Sequence, residues 1–290
     1  MPMNPTITTA QPITILLSAL GGEGGGVLAD WLVDTARHGG HPVQGTSIPG
    51  VAQRTGATTY YVEIFPLPHS ALGGRQPVFG LYAVPGALDL LVGSELLEAV
   101  RQTGLGLVSP DRTAVLVSSS RALTVSEKMG PGDARLDDTA LLAVLRQQAA
   151  GLDVLDMATL AREQGTVISA VMFGALAGWA VASGRLPFAR SDYEATIQRG
   201  GKGVAASLRG FGAAFDQVHG AHRQRATLMA LAEQVMQRHQ ALPPAQGTAN
   251  AGNAATAGLP GPVAEIAALG DARLRDYQDA DYAALYRQRL

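Results

Sequence analysis

The sequence predicts an α/β fold: an open, mostly parallel, Rossmann-like sheet with helices on both faces and a long C-terminal helix. Three observations predict it. The apolar run from Ile13 stops at a turn with five glycines in six positions (Gly21, Gly22, Gly24, Gly25, Gly26), and an amphipathic stretch follows. Short apolar runs then alternate with helix-patterned segments as far as residue 164, as expected of βα units around a parallel sheet. Finally, residues 202 to 239 carry one apolar stripe at helical spacing: Val204, Leu208, Phe211, Phe215 and Val218.

Taken in order, Val27, Leu28, Trp31, Leu32, Thr35 and Ala36 define the buried face of a first helix. A short strand is expected over 41–47 and a breaker-rich loop over 48–56. A strand over 57–65, rich in β-branched and aromatic residues, comes next. Residues 87–92 read as a strand and 94–102 as its helix, with Ser94 as N-cap. The nearly continuous apolar run 113–118 is expected to be central and covered on both faces. Helix over 137–150, strand over 152–156 and helix over 157–164 follow. The uncharged stretch 164–184 is too short and too rich in small residues for a spanning helix and is expected in a soluble core. Ser191 is expected to cap a short helix through Ile197.

The pattern changes near residue 241. Residues 1–240 form the expected main domain, and 241–262, uncharged and without periodicity, a flexible linker. Residues 263–290 are expected to be the helical start of a truncated C-terminal region.

Composition narrows the function. The net charge of −2 offers no electrostatic case for nucleic acid or an anionic membrane surface. There is no cysteine, which excludes disulfides, iron–sulfur ligation and thiolate chemistry within this chain. No signal peptide is expected at Met1–Pro12, and the expected location is cytoplasmic.

The glycine turn is the leading candidate site. Glycine admits positive φ and close approach of a ligand, and the helix behind it points free N–H groups at an anion. Such a turn serves packing equally well. The register is not G-x-G-x-x-G, the lysine of a phosphate-binding P-loop is missing, and Glu23 introduces a carboxylate. In α/β sheets ligands gather at the carboxyl ends of the strands. The polar residues expected there are Glu23, Thr46, Ser47, Gln53, Arg54, Ser118 and Ser119. No partner set turns His38, His41, His219 or His222 into a metal site, so all four are read as solvated. Glu95 and Glu98 are likewise read as a solvated helix face. Ser118–Ser120 either meets a ligand or ends its strand.

Three stretches together resemble one family: Gly21-Gly-Glu-Gly24 closing a first strand, Gly50-Val-Ala-Gln-Arg-Thr-Gly56 before a later strand, and Val171–Gly178 followed by Gly184–Pro187 and Gly203–Phe211. The chain is similar to the gamma-type domain of the 2-oxoacid:ferredoxin oxidoreductases over about residues 13–218, and within that family most similar to the indolepyruvate branch. Ala19, Glu23 and Thr55-Gly56 depart from the family's usual residues. The resemblance implies a subunit that is not active alone. Thiamine diphosphate, Mg and 4Fe-4S clusters are expected in a catalytic partner subunit, with ferredoxin reached through that partner and CoA as co-substrate. It further implies that Gly21, Gly22, Glu23, Gly24, Gly25 and Thr46 hold CoA and that Gln53 and Arg54 either contact it or anchor a loop at an interface. The competing reading is a stand-alone dinucleotide-binding dehydrogenase or a non-catalytic binding module.

Overall fold

The computed structural model describes residues 10–48, 58–129, 133–241 and 260–289. In chain order its elements are β1 (Ile13–Ala19), α1 (Gly25–His38), β2 (Val43–Ile48), β3 (Thr58–Ile64), β4 (Leu90–Gly93), α2 (Leu96–Gly104), β5 (Ala114–Ser118), α3 (Val125–Met129), α4 (Asp138–Gln148), β6 (Gly151–Leu155), α5 (Met157–Glu163), α6 (Ile168–Ser183), α7 (Arg190–Gln198), α8 (Val204–Ala241), α9 (Gly261–Tyr277) and α10 (Ala280–Arg289).

The six strands form one sheet in the order β2-β3-β1-β4-β5-β6. Pairs β1–β4, β4–β5 and β5–β6 are parallel, whereas β3 is antiparallel to both β1 and β2. Strand β3 therefore runs against the other five. Residues 49–57 are too few for a parallel crossover, which needs roughly a dozen residues or more, so the chain turns back on itself. The mostly parallel expectation holds, and β5 is internal as expected. The carboxyl ends of β1, β2, β4, β5 and β6 share one end of the sheet, and β3 begins there.

Alternate residues of each strand feed two cores. Ile13, Ile15, Leu17, Val62, Ile64, Leu90, Val92 and Leu116 pack against α1, α5, α6, α7 and α8. Leu16, Tyr61, Leu91, Val115 and Val117 pack on the other face against α2 and α4. Helix α6 is apolar all round and buried from Ser169 to Ala180, as an interior helix must be. Its glycines admit α8 at backbone distance: a Cβ on Gly174 would lie 2.1 Å from the Phe211 carbonyl oxygen. No single helix among the described residues is long and apolar enough to cross a membrane.

Three local expectations change. Val27 is 47% exposed, and Ala29 replaces it on the buried face of α1. The N-cap of α2 is Glu95, whose carboxylate accepts the Glu98 N–H at 2.7 Å, and Ser94 is used elsewhere. Helix α7 begins at Arg190, and the Asp192 carboxylate accepts the Ala189 N–H at 2.8 Å in place of a Ser191 cap.

The chain divides into two compact units, Met1–Leu228 and Met229–Leu290. In the second, α9 and α10 pack together over buried Ala267 and Ala283. Asp271 accepts from Arg275 at 2.9 Å and also from Arg287. Residues 242–259, most of the expected linker, lie outside the described residues.

Candidate functional site

The turn between β1 and α1 occupies the carboxyl end of the sheet. Gly22 and Gly24 have φ of +87° and +77°, values open to glycine at little cost. Gly21 and Gly22 are exposed, and the space a Gly22 side chain would fill is open. Gly25 is closed in: a Cβ there would meet Tyr60 at 2.7 Å and Ala19 at 2.8 Å. A Cβ on Gly24 would meet Ser169 Oγ at 2.9 Å. Gly24 and Gly25 are thus fixed by the approach of α6 and of the Tyr60 ring, while Gly22 faces open space.

Glu23 does not project freely from this turn. Its Oε2 accepts the Leu20 N–H at 3.0 Å and the Ser94 hydroxyl. The carboxylate ties the end of β1 to the end of β4, which gives Ser94 its role and Glu23 an internal one. As N-cap of α1, Gly24 contributes no side-chain acceptor, and the first turn of the helix holds no acidic residue.

Thr46 stands apart from the glycines. It pairs with Tyr61, on the sheet face opposite α1, and its hydroxyl donates to the Leu81 carbonyl at 2.8 Å. There it belongs to a set of anchors for the connection that leads to β4. Gln44 donates to the Gly80 carbonyl at 3.1 Å, and Glu63 accepts the Gly80 N–H at 2.8 Å and the Tyr61 hydroxyl. Burial, then Glu63, raises the Tyr61 phenol well above its ordinary value. Ser47 is exposed at the end of β2. Gln53 and Arg54 lie outside the described residues, although the flanking Ile48 and Thr59 pair at the carboxyl end of the sheet.

On the β4–β5 side the same end is locked by charge. Glu95, 3% exposed, accepts the Ala122 N–H at 3.1 Å besides capping α2. Burial raises its pKa against the hydrogen bonds and Arg121 that favour the charge. Arg121 lies 3.3 Å from Glu95 and bonds Asp138 at 2.6 Å and Glu127. The backbone N–H of Thr124 leads the groups that hold Glu127 down to about 2. The solvated reading of Glu95 and Glu98 is therefore corrected. Glu95 is a buried cap, and Glu98 is gripped by Arg101, whose Nη2 lies 2.7 Å away. Ser118 Oγ donates to Ser120 Oγ at 2.9 Å, and the Ser120 carbonyl accepts from Leu96 N–H, so these serines end the strand and seat α2.

Two histidines also depart from the solvated reading. His41 is 7% exposed, its Nδ1 lies 3.0 Å from the Phe65 carbonyl, and its ring meets Phe188 edge-on. Burial is the main cause that lowers its pKa. His222 bonds Asp153 at 2.7 Å. Among the described residues no group of three or more His, Asp or Glu is placed to hold a metal.

The sequence profile of the pyruvate ferredoxin/flavodoxin oxidoreductase family matches residues 14–217. The chain belongs to this family. The resemblance carried by Gly21–Gly24, Gly50–Gly56 and Val171–Gly178 is borne out, since all three stretches fall inside the match. None of the curated proteins matches the chain. Among solved structures it is similar to the PORC subunit of pyruvate oxidoreductase from Thermotoga maritima (16% identity over 71% of this chain and 96% of that one, TM-score 0.47). It is also similar to the gamma subunit of a keto/oxoacid ferredoxin oxidoreductase from Geobacter sulfurreducens (17%, 71% and 98%, TM-score 0.45). A third is the 2-oxoglutarate:ferredoxin oxidoreductase from Magnetococcus marinus, described with 2-oxoglutarate, coenzyme A and succinyl-CoA bound (13%, 73% of this chain and 31% of that one, TM-score 0.47).

Sequence reading missed Ser94, Tyr60 and Ser169 at the turn. Only Ser169 had a local signal: it is a hydroxyl within a run that is otherwise nearly all apolar.

Proposed function

We propose that this chain is the accessory subunit of a thiamine-diphosphate-dependent 2-oxoacid:ferredoxin oxidoreductase acting on an arylpyruvate such as indolepyruvate. The complex would decarboxylate the 2-oxoacid, release the acyl group as a CoA thioester and pass the electrons to ferredoxin. The observation that carries this reading is the family match across the whole α/β unit of a chain without cysteine. Iron–sulfur clusters need thiolate ligands, so the residues present do not fit the clusters. Nor do the described residues offer a carboxylate group for a thiamine-bound metal. Those groups belong to the catalytic partner in this reading, and no redox step is routed through this chain.

The chain's own contribution is to close over the partner's active site and to help hold CoA. Gly22 and Gly24 keep the β1–α1 turn free of side chains, and the N-terminus of α1 favours an anion there. Gln53 and Arg54, between two strands that meet at this end of the sheet, are assigned to CoA or to the partner. Thr46 is assigned to the fold, because its hydroxyl is engaged with Leu81.

Co-expression with a thiamine- and cluster-bearing subunit tests the reading. The mixture is expected to show indolepyruvate oxidation that requires CoA and ferredoxin, with pyruvate and 2-oxoglutarate as poorer substrates, and the chain alone to show none. Turnover by the purified chain with a nicotinamide or flavin nucleotide would favour the dehydrogenase reading.

A further inference from the structure

We infer that two copies of this chain pair edge to edge through β2, antiparallel about a two-fold axis, with their α1 helices side by side. The pairing is a property of the sheet edge and holds whichever 2-oxoacid the complex uses.

The edge strands of the sheet are β2 and β6. An edge leaves a row of backbone N–H and C=O groups open to pairing, and proteins commonly block it with charge, proline or a covering element. Strand β6 is blocked in this way. Its Asp153 is 8% exposed and is held by His222 at 2.7 Å and Arg225 at 2.9 Å, both from α8. Strand β2, Val43-Gln-Gly-Thr-Ser-Ile48, holds no charge and no proline, and its register with β3 is unbroken by a bulge. The Phe65 N–H donates to the Pro42 carbonyl, which sets the alternation. Gln44, Thr46 and Ile48 turn their backbone groups toward β3, and Val43, Gly45 and Ser47 turn theirs outward. Among the described residues nothing bonds these outward groups.

The outward set is centred on Gly45 and matches itself. About a two-fold axis there, Gly45 pairs with Gly45 of the second copy and Val43 with its Ser47, and no like charges meet across the ladder. The surfaces beside the edge select a second copy as the occupant. Helix α1 lies over β3 and β2: a Cβ on Gly25 would meet Tyr60 at 2.7 Å, and one on Gly45 would meet Val33 at 3.1 Å. Strands lie about 4.8 Å apart, so joining two sheets at β2 brings the two α1 helices to roughly 10 Å, a packing distance for helices. These helices run antiparallel about Val33. Asp30 and Arg37 stand on the same side of α1 as Val33, away from α7, which takes Asp34 and Thr35. Both are exposed, and neither makes an ion pair among the described residues. They lie almost equally far from Val33 in opposite directions, so each Asp30 meets Arg37 of the other copy. On the other face of β2, Gln44 and Thr46 hold the Gly80 and Leu81 carbonyls, and Leu81 and Tyr82 there are 59% and 65% exposed. The same pairing covers this apolar surface.

Sedimentation equilibrium of the full chain, with hydrogen exchange of the 43–47 amides, tests the pairing. A dimer is expected, with Val43, Gly45 and Ser47 amides that gain protection as concentration rises. Asp30→Arg and Arg37→Asp each set like charges against one another at both α1 contacts and are expected to raise the dimer Kd about tenfold. Both positions are exposed, so both variants are expected to keep the native unfolding midpoint. Mixing the two variants restores opposite charges at both contacts, and the mixture is expected to regain the native Kd. A chain that sediments as a monomer at every concentration overturns the proposal. So does a dimer whose Kd ignores the charge variants, or one whose 43–47 amides stay unprotected. Protection that appears only when a catalytic subunit is added also overturns it and gives the edge to that partner.

Discussion

The two ends of the sheet use their polar groups in opposite ways. At the amino end one carboxylate, Asp89, is saturated. It accepts the Thr14 N–H and hydroxyl, both at 3.0 Å, two bonds from Arg112 at 3.0 and 3.1 Å, and one from Arg185 at 3.1 Å. Burial opposes its charge, yet Arg112 and Thr14 together hold its pKa below the ordinary value. At the carboxyl end the β4–β5 side is similarly closed by Arg121 and its carboxylates, but in the β1–α1 turn neither the cap residue Gly24 nor an acidic first-turn side chain answers the free N–H groups of α1. A saturated cluster does structural work, because every interaction it can make is made within the chain. An unsaturated one beside open space is where a ligand gains binding energy. The comparison places stability at the amino end and leaves the glycine turn for the binding role proposed above.

Removal of the saturated hub is expected to have the largest effect. Asp89→Ala leaves two guanidinium groups and the Thr14 hydroxyl around a vacated buried position. It is expected to cost about 1–3 kcal/mol, as when a buried hydrogen-bond acceptor is removed, because Arg112 and Arg185 remain partly exposed to water, read from the urea midpoint. A loss below about 1 kcal/mol, the range of exposed pairs, would remove the amino end from its role.

The pH dependence of stability sharpens the same contrast within the carboxyl end. Glu127 titrates at about 2 in the folded chain against an ordinary 4.5, chiefly because the Thr124 N–H donates to it. A depressed folded-state value means that its contribution is complete above about pH 4.5 and is lost as pH falls toward about 2. Native protein is therefore expected to be more stable than Glu127→Gln at pH 6, with the gap shrinking steadily between pH 4.5 and 2. A gap that stays constant over that window would mean that the network does not depend on the Glu127 charge.

What could be read from the sequence follows from the range of the interactions involved. Strands β1, β4 and β5 and helices α1, α6 and α8 were legible because apolar periodicity is local and these elements bury whole faces. The family was legible because three short stretches kept their order and spacing. The roles of Glu95, His41 and His222 were not legible, since Arg121, Phe65 and Asp153 reach them only after folding. His222 and Asp153, for example, are 69 positions apart. Thr46 shows the period-two limit of such reading. Its position at the carboxyl end was foreseen, but which sheet face it takes depends on pairing with Tyr61 and on a connection with no periodicity of its own. Ser169 escaped notice because a hydroxyl at the start of a buried helix reads as a small core residue until the glycine turn is seen against it.

The most direct measurement is the KM for CoA of the reconstituted complex carrying Gly24→Val. The substitution forces a β-branched side chain into positive φ against Ser169, at a local strain of about 1–3 kcal/mol, and is expected to leave the α/β unit folded. At least a tenfold rise in KM for CoA is expected, with the far-UV circular dichroism spectrum and assembly with the partner unchanged. A folded, assembled Gly24→Val complex with native KM and kcat would contradict it and take the glycine turn out of the mechanism.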